Sequence, residues 1–433
     1  MDGPSAYSIQ KENHDHLPIT ERRKKSDVLR NLLFGSMVVG GQCGQNVVLP
    51  LFIDSARYDD NSTSLNHSFT AYKPFMDSYA VTVFSTIMFA IVFGVLFAVR
   101  RLRMYLKGEC FDRRVPHRLI ALSGLLAGFA GLIIVYSSSG KRTAPYLQAI
   151  LVNAAIPATL ILRYLLLKKS PTKQKLICAL TIVLAIFICL LPSLVPEIDP
   201  KQANNKEQGG TTGWRGIFWP CCFMMGFVIT AVGYTIQEKI FQYQNPQSTK
   251  KVDIFYIMFI SMLFQLVACV ALFWTDAIPI FGNVNSIEKV FLNFVYGFQC
   301  VFGSAGCSHY PALYGWLFIA CFVCYWLGSG CLLRYSEGAT FLAIVTAIVT
   351  PTGFLFWTLF KEQPTFHWHP QMSVTVWLNI IGLAIMVPSI YLYNVERWIL
   401  DQVGLSLDSE TERIELRARS SRKKGSADLV PGG

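Results

Sequence analysis

Long apolar runs separated by short blocks of lysine and arginine set the pattern of this chain. Crossing the hydrocarbon core of a bilayer takes about 20 apolar residues. Ten runs reach that length, at 29–54, 76–99, 118–137, 144–167, 175–194, 214–237, 252–274, 312–333, 339–360 and 372–394. The pattern predicts an all-α polytopic membrane protein of ten transmembrane helices. The third run is short and rich in glycine (Gly124, Gly128, Gly131). Between the seventh and eighth runs, apolar residues recur at Ile287, Val290, Phe291, Phe294, Val295 and Phe298, the spacing of one helical face. Asn285 or Ser286 can cap its start. This stretch is too short to span and fits an amphipathic helix lying along the lumenal surface.

Composition agrees with burial in lipid. Only 15% of residues are charged and 52% are hydrophobic, where a soluble domain carries about 25% charged residues. The net charge of +11 does not indicate a nucleic-acid partner. The basic residues flank apolar runs, and neither zinc-finger spacing nor an aromatic-and-basic RNA motif is present. With the N-terminus in the cytosol, 29 lysines and arginines fall on the cytosolic side and 9 on the other. The positive-inside rule therefore puts both termini in the cytosol. Two sequons, at Asn61 and Asn66, lie in the first lumenal loop, the side on which glycans are added. The first apolar run is too long for a signal-peptide core and reads as an uncleaved anchor.

Residues 1–28 form a cytosolic tail, 29–194 a first five-helix repeat and 195–213 a lumenal connector. A second five-helix repeat covers 214–394, with a lumenal cysteine loop at 275–311. A cytosolic tail at 395–433, expected to be disordered, completes the division. Nine cysteines lie in spans as small apolar filler, and the Cys321–Cys324 spacing inside a lipid-embedded helix carries no redox or metal role. Cys300 and Cys307 share the lumenal loop and flank flexible glycines, so a disulfide between them is expected.

The two halves echo each other. The fourth run contains Asn153 and Pro157 and continues to Lys168; the ninth contains Thr346, Thr350 and Pro351 and continues to Lys361. Proline removes a backbone hydrogen bond, which is tolerated where a helix lines a cavity or packs on partners. Five runs per half invert the second copy. Interrupted helices at matching places of inverted repeats mark carriers with a mid-membrane site.

Polar residues inside apolar runs need partners or water. The densest group is Gln42, Gln45 and Asn46 in the first run, beside Gly40 and Gly44, whose spacing allows another helix to approach. Thr230, Tyr234, Thr235 and Gln237 are the counterpart in the sixth run. Asn153, Gln265, Tyr325, Ser329 and Asn379 are single polar positions. Asp54, Asp77 and Asp276 fall near lumenal ends, where snorkelling or solvation suffices. No ionisable residue sits at mid-depth, so proton coupling is left open.

Ala155-Ile-Pro157 with Leu160-Ile-Leu-Arg163-Tyr164 resembles the fourth helix of the chloroquine-resistance-transporter-like family, within the drug/metabolite transporter superfamily. Phe264-Gln265-Leu266, Gly297-Phe-Gln-Cys300, and Cys43 with Asn46 extend the resemblance from about residue 30 to 395. It implies ten helices in two inverted repeats, a lumenal helix, a disulfide-bonded loop and a vacuolar or endolysosomal membrane. It also implies export of peptides and cationic amphiphiles, with thiol peptides handled by plant relatives. The chain departs from the family pattern with two loop cysteines rather than four, Leu126 in place of an aspartate and Val47 in place of a lysine.

These readings converge on a monomeric carrier without cofactor or metal, moving small organic solutes such as amino acids from lumen to cytosol by alternating access. Gln42, Gln45, Asn46, Asn153, Tyr234, Thr235, Thr346 and Thr350 are its candidate solute ligands, and Pro157 and Pro351 shape the helices that rock. A nucleotide-sugar carrier is the alternative, supported by Arg163 alone. An integral membrane enzyme would rest on His367-Trp-His369 beside Lys361 and Glu362.

Overall fold

The computed structural model describes residues 19–55, 74–108, 115–167, 172–198, 210–211, 213–242, 253–282, 284–303, 307, 309–335, 345–346, 348–361, 367–370 and 373–393. Twelve helices matter below. They are α1 (Ile19–Ile53), α2 (Ser78–Leu106), α3 (His117–Ser137), α4 (Pro145–Leu151), α5 (Ala155–Leu167) and α6 (Lys173–Leu194), then α7 (Trp214–Gln242), α8 (Ile254–Ala271), α9 (Ile287–Val301), α10 (Tyr310–Tyr335), α11 (Val349–Leu359) and α12 (Val374–Tyr393). A two-residue antiparallel pair, β1 (Phe360–Lys361) with β2 (His367–Trp368), follows α11.

Among the described residues, nine helices are long and apolar enough to cross a membrane, with α4 and α5 together supplying one of them. Of the expected ninth run, the described part contains α11, which at 11 residues is too short to span alone. Boundaries follow local chemistry. Asp253 caps α8 by accepting from the backbone N–H groups of Phe255 and Tyr256 at 2.9 and 3.4 Å, and Thr172 caps α6. Ser286, rather than Asn285, caps α9 by accepting from Lys289 N.

The most extensive helix pairings are α1 with α10 and α3 with α7, followed by α8 with α3 and with α2. Glycines set the first of these. A Cβ on Gly41 would lie 2.6 Å from Tyr325 N and 2.7 Å from Cys321 O, whereas nothing lies within 4 Å of one on Gly40. The close face is therefore Gly41 and Gly44, not the expected Gly40 and Gly44. The two glycines on the side that meets α10 are thus spaced i, i+3 rather than i, i+4. In α3, a Cβ on Gly128 would sit 2.6 Å from the Ala268 methyl of α8, which accounts for the glycine content of that run.

Helix α9 turns Val290, Asn293, Gly297 and Cys300 inward and leaves Ile287 and Phe291 57% and 65% exposed. Asn293 Oδ1 accepts from Phe75 N at 3.3 Å, tying α9 to the start of α2. Cys300 and Cys307 are joined by a disulfide with their Cα atoms 5.3 Å apart.

Candidate functional site

Gln42, Gln45 and Asn46 are spaced i, i+3, i+4 and so share one face of α1. Gln42 Oε1, Gln45 Nε2 and Asn46 Nδ2 are buried and have no hydrogen-bond partner among the described residues. Such groups cost free energy in an apolar setting until something satisfies them. Beside them runs α11. Cys43 Sγ lies 3.9 Å from Val349 O, and Trp357 Nε1 donates to Asn46 O at 3.3 Å. The second contact has a covalent cause. Pro50, inside α1 four residues after Asn46, has no N–H to give, so the Asn46 carbonyl is left for the indole.

The break expected in the fourth span is a 3-10 turn, Val152–Ala154, between α4 and α5. Pro157 is the third residue of α5, and Pro351 the third of α11, in the first turn where proline costs a helix little. Asn153 sits in the turn. Its Nδ2 donates to Ile150 O at 3.0 Å and to Thr350 Oγ1 at 2.9 Å, and the Thr350 hydroxyl lies 3.3 Å from Asn153 Oδ1. One turn further along α11, a Cβ on Gly353 would lie 3.3 Å from the Ala149 methyl and 3.8 Å from Asn46 Nδ2. Helices α1, α4 and α11 thus meet at Gly353.

Of the residues expected to bind solute, this brings together Asn46, Asn153 and Thr350, with Gln42 and Gln45 on the adjoining α1 face. Asn153 and Thr350 satisfy each other. Thr235 is buried and donates to Ala231 O of its own helix at 2.8 Å. Thr346 is half-buried, and the Tyr234 side chain lies outside the described residues, as do Asn61 and Asn66. Gln265 donates to Thr86 and Gln237 to Ser123, so these two join helices. Trp357 was not among the expected residues, although Pro50 leaving a carbonyl open was a readable signal for a donor nearby. Ser329 Oγ and both amide atoms of the fully buried Asn379 also have no partner among the described residues.

The aspartates at the ends of spans correct an expectation. Asp77 and Asp276 are 1% and 0% exposed, not solvated. They act electrostatically on Arg142, in the turn between α3 and α4. The Arg142 guanidinium donates to Tyr136 O at 2.7 Å and lies 4.1 Å from the Trp219 ring centre of α7. Burial pushes the Arg142 pKa down, opposed by the charges of Asp77, Asp276 and Asp54. Asp54 accepts from Gly140 N at 2.9 Å and from Ser139 Oγ at 3.1 Å.

A bundle of apolar helices long enough to cross a membrane, one of them broken between α4 and α5, defines a polytopic α-helical membrane protein. The chain belongs to the CRT-like (chloroquine-resistance transporter-like) family, which it matches over residues 63–393. It is also similar to Crt homolog 1 of Dictyostelium discoideum, with 26% identity over 161 residues. That match spans 37% of the chain and 30% of the relative's length.

Proposed function

We propose that the chain is a secondary-active carrier that moves small organic solutes across an organellar membrane by alternating access, built as ten helices in two inverted five-helix repeats. The observation that carries this reading is the trio of buried, unpaired amide atoms on one face of α1, beside the break between α4 and α5. Family membership supports transport of solutes. The helix pairings support the repeat. Exchanging each helix for its counterpart five spans away turns the α1–α10 pair into the α7–α3 pair, and these are the two most extensive pairings in the bundle.

In this reading Gln42, Gln45 and Asn46 bind the solute, with Asn153, Tyr234, Thr235, Thr346 and Thr350 around them, and helices rock about the turns that precede Pro157 and Pro351. Both termini face the cytosol and the membrane is vacuolar or endolysosomal, as the lysine and arginine distribution and the family support. Amino acids, short or thiol peptides and cationic amphiphiles are the solutes to try first, with flux from lumen to cytosol.

Reconstitution in liposomes under an imposed pH gradient, screened against those solutes, tests the activity. Asn46→Leu tests the site. The Trp357 indole bonds the backbone of residue 46, so leucine leaves that contact in place. The variant is expected to lose transport while thermal stability in detergent holds or rises, because an unpaired amide has been removed. Normal transport per folded molecule with a lowered melting point would take α1 out of the site.

A further inference from the structure

The turn between α3 and α4, residues 138–144, is tied to several parts of the bundle. Gln148, buried in α4, donates to Ser138 O at 2.8 Å and to Thr143 O at 2.7 Å and so fixes the turn's own shape. From inside, Arg142 holds it to α3 through Tyr136 O and to α7 over Trp219. The buried carboxylates of Asp77, before α2, and Asp276, after α8, act on the same guanidinium. From the other side Asp54, at the end of α1, accepts from Gly140 N and Ser139 Oγ, with Lys141 Nζ 3.9 Å away.

These ties differ in what they join. Helix α1 packs chiefly with α10, and α3 chiefly with α7. Arg142 therefore braces the turn within the α3–α7 side, whereas Asp54 crosses to it from the α1–α10 side. At the same end α4 packs chiefly on α11 and also on α1 and α7, while α5, beyond the break, packs on α7 and α6. The two sides of the bundle are thus drawn together at the end that carries Asp54.

The chemistry favours a reversible tie. An apolar plug would expose greasy surface to water on opening. Charged and hydrogen-bonding groups are instead rehydrated as they part, and in a low-dielectric setting they hold only while their geometry is complete. Such a contact has two discrete states.

We propose that Asp54 and the 138–144 turn form the latch that closes this end of the solute path, with Arg142 as the positioning residue that braces the turn. The proposal rests on the alternating-access reading, but its test measures proximity and not transport, so the two can fail separately.

The reporter is a cysteine pair, Ala149→Cys with Gly353→Cys, placed where the two Cβ atoms lie close enough for a disulfide when the end is shut. In the full-length protein, the extent of this cross-link after a brief oxidant pulse is read by peptide mapping, which separates it from links among native cysteines. Asp54→Ala and Arg142→Gln, each added to the reporter, are expected to slow the cross-link about fivefold or more, the lower range of a coupling between two states. Arg142→Lys is expected to restore part of the rate, and Lys141→Ala to leave it within about twofold, as for an exposed ion pair. Gel filtration and melting points confirm folding in each case. If Arg142→Gln does not fold, Asp54→Ala decides. A parental cross-linking rate in folded Asp54→Ala protein would overturn the latch, as would slowing that follows the melting point alone.

Discussion

The crossing of α1 over α10 offers a sharp test because adjacent glycines have opposite surroundings. A Cβ on Gly41 would meet backbone, Tyr325 N at 2.6 Å and Cys321 O at 2.7 Å, and backbone cannot swing aside as a flexible side chain can. Ordinary Cβ contacts begin at 3.4 Å, so α10 would have to retreat by about 0.8 Å along a tightly packed pairing. Overpacking of this kind costs about 1–3 kcal/mol. Gly40 has nothing within 4 Å, so alanine there adds no clash and gains up to about 1 kcal/mol of helix propensity. Heating each variant in detergent and following the fraction that stays monodisperse should show Gly41→Ala melting earlier and Gly40→Ala unchanged or later. Equal loss in both variants would refute the Gly41–Gly44 face and return the contact to Gly40.

Three further outcomes are expected. Thr350→Val removes the reciprocal bond to Asn153 while Asn153 keeps Ile150 O, so stability should fall by about 0.6–1.7 kcal/mol; an unchanged melting point would mean that α4 and α11 do not rely on it. Mass mapping without reductant should find Cys300 linked to Cys307, and reduction should cost at most about 2.5 kcal/mol, the chain-entropy ceiling for so short a loop. Glycosidase should shift the gel mobility of protein from its native membrane, and Asn61→Gln with Asn66→Gln should abolish the shift; a C-terminus open to protease from the lumen would refute the topology behind this.

The spanning helices were legible because a 20-residue apolar run has few other solutions in lipid, where each backbone polar group must be satisfied within its own segment. Helix α9 was legible in the same way, from a 3.6-residue apolar period and a serine at its start. What the pattern could not supply was partnership. Nothing local distinguishes Gly40 from Gly41, since only the arrival of α10 makes one of them tight. Asp77 and Asp276 look like ordinary end-of-span carboxylates until folding buries both within electrostatic reach of Arg142. Asn153 and Thr350 were both readable as polar residues beside prolines. That each is the other's partner depends on a contact 197 residues apart.

The polar groups of the bundle divide by how far they are satisfied, and the division bears on mechanism. Where α2 meets α8, Gln265 donates to Thr86 and Tyr79 donates to Cys269 O, and where α3 meets α7, Gln237 donates to Ser123. Those pairings have every reason to stay closed, because opening any of them leaves a donor without an acceptor in an apolar setting. Among the described residues, partnerless atoms remain on Asn31, Gln42, Gln45 and Asn46 of α1, Ser85 of α2, Thr143 of the 138–144 turn, Ser329 of α10 and Asn379 of α12, with the densest group on α1. A carrier needs a part that holds its shape and a part that exchanges partners as water and solute come and go. The satisfied seams fit the first role. The α1 face fits the second, since a solute offering a donor and an acceptor there would fill a vacancy rather than compete with a bond already made.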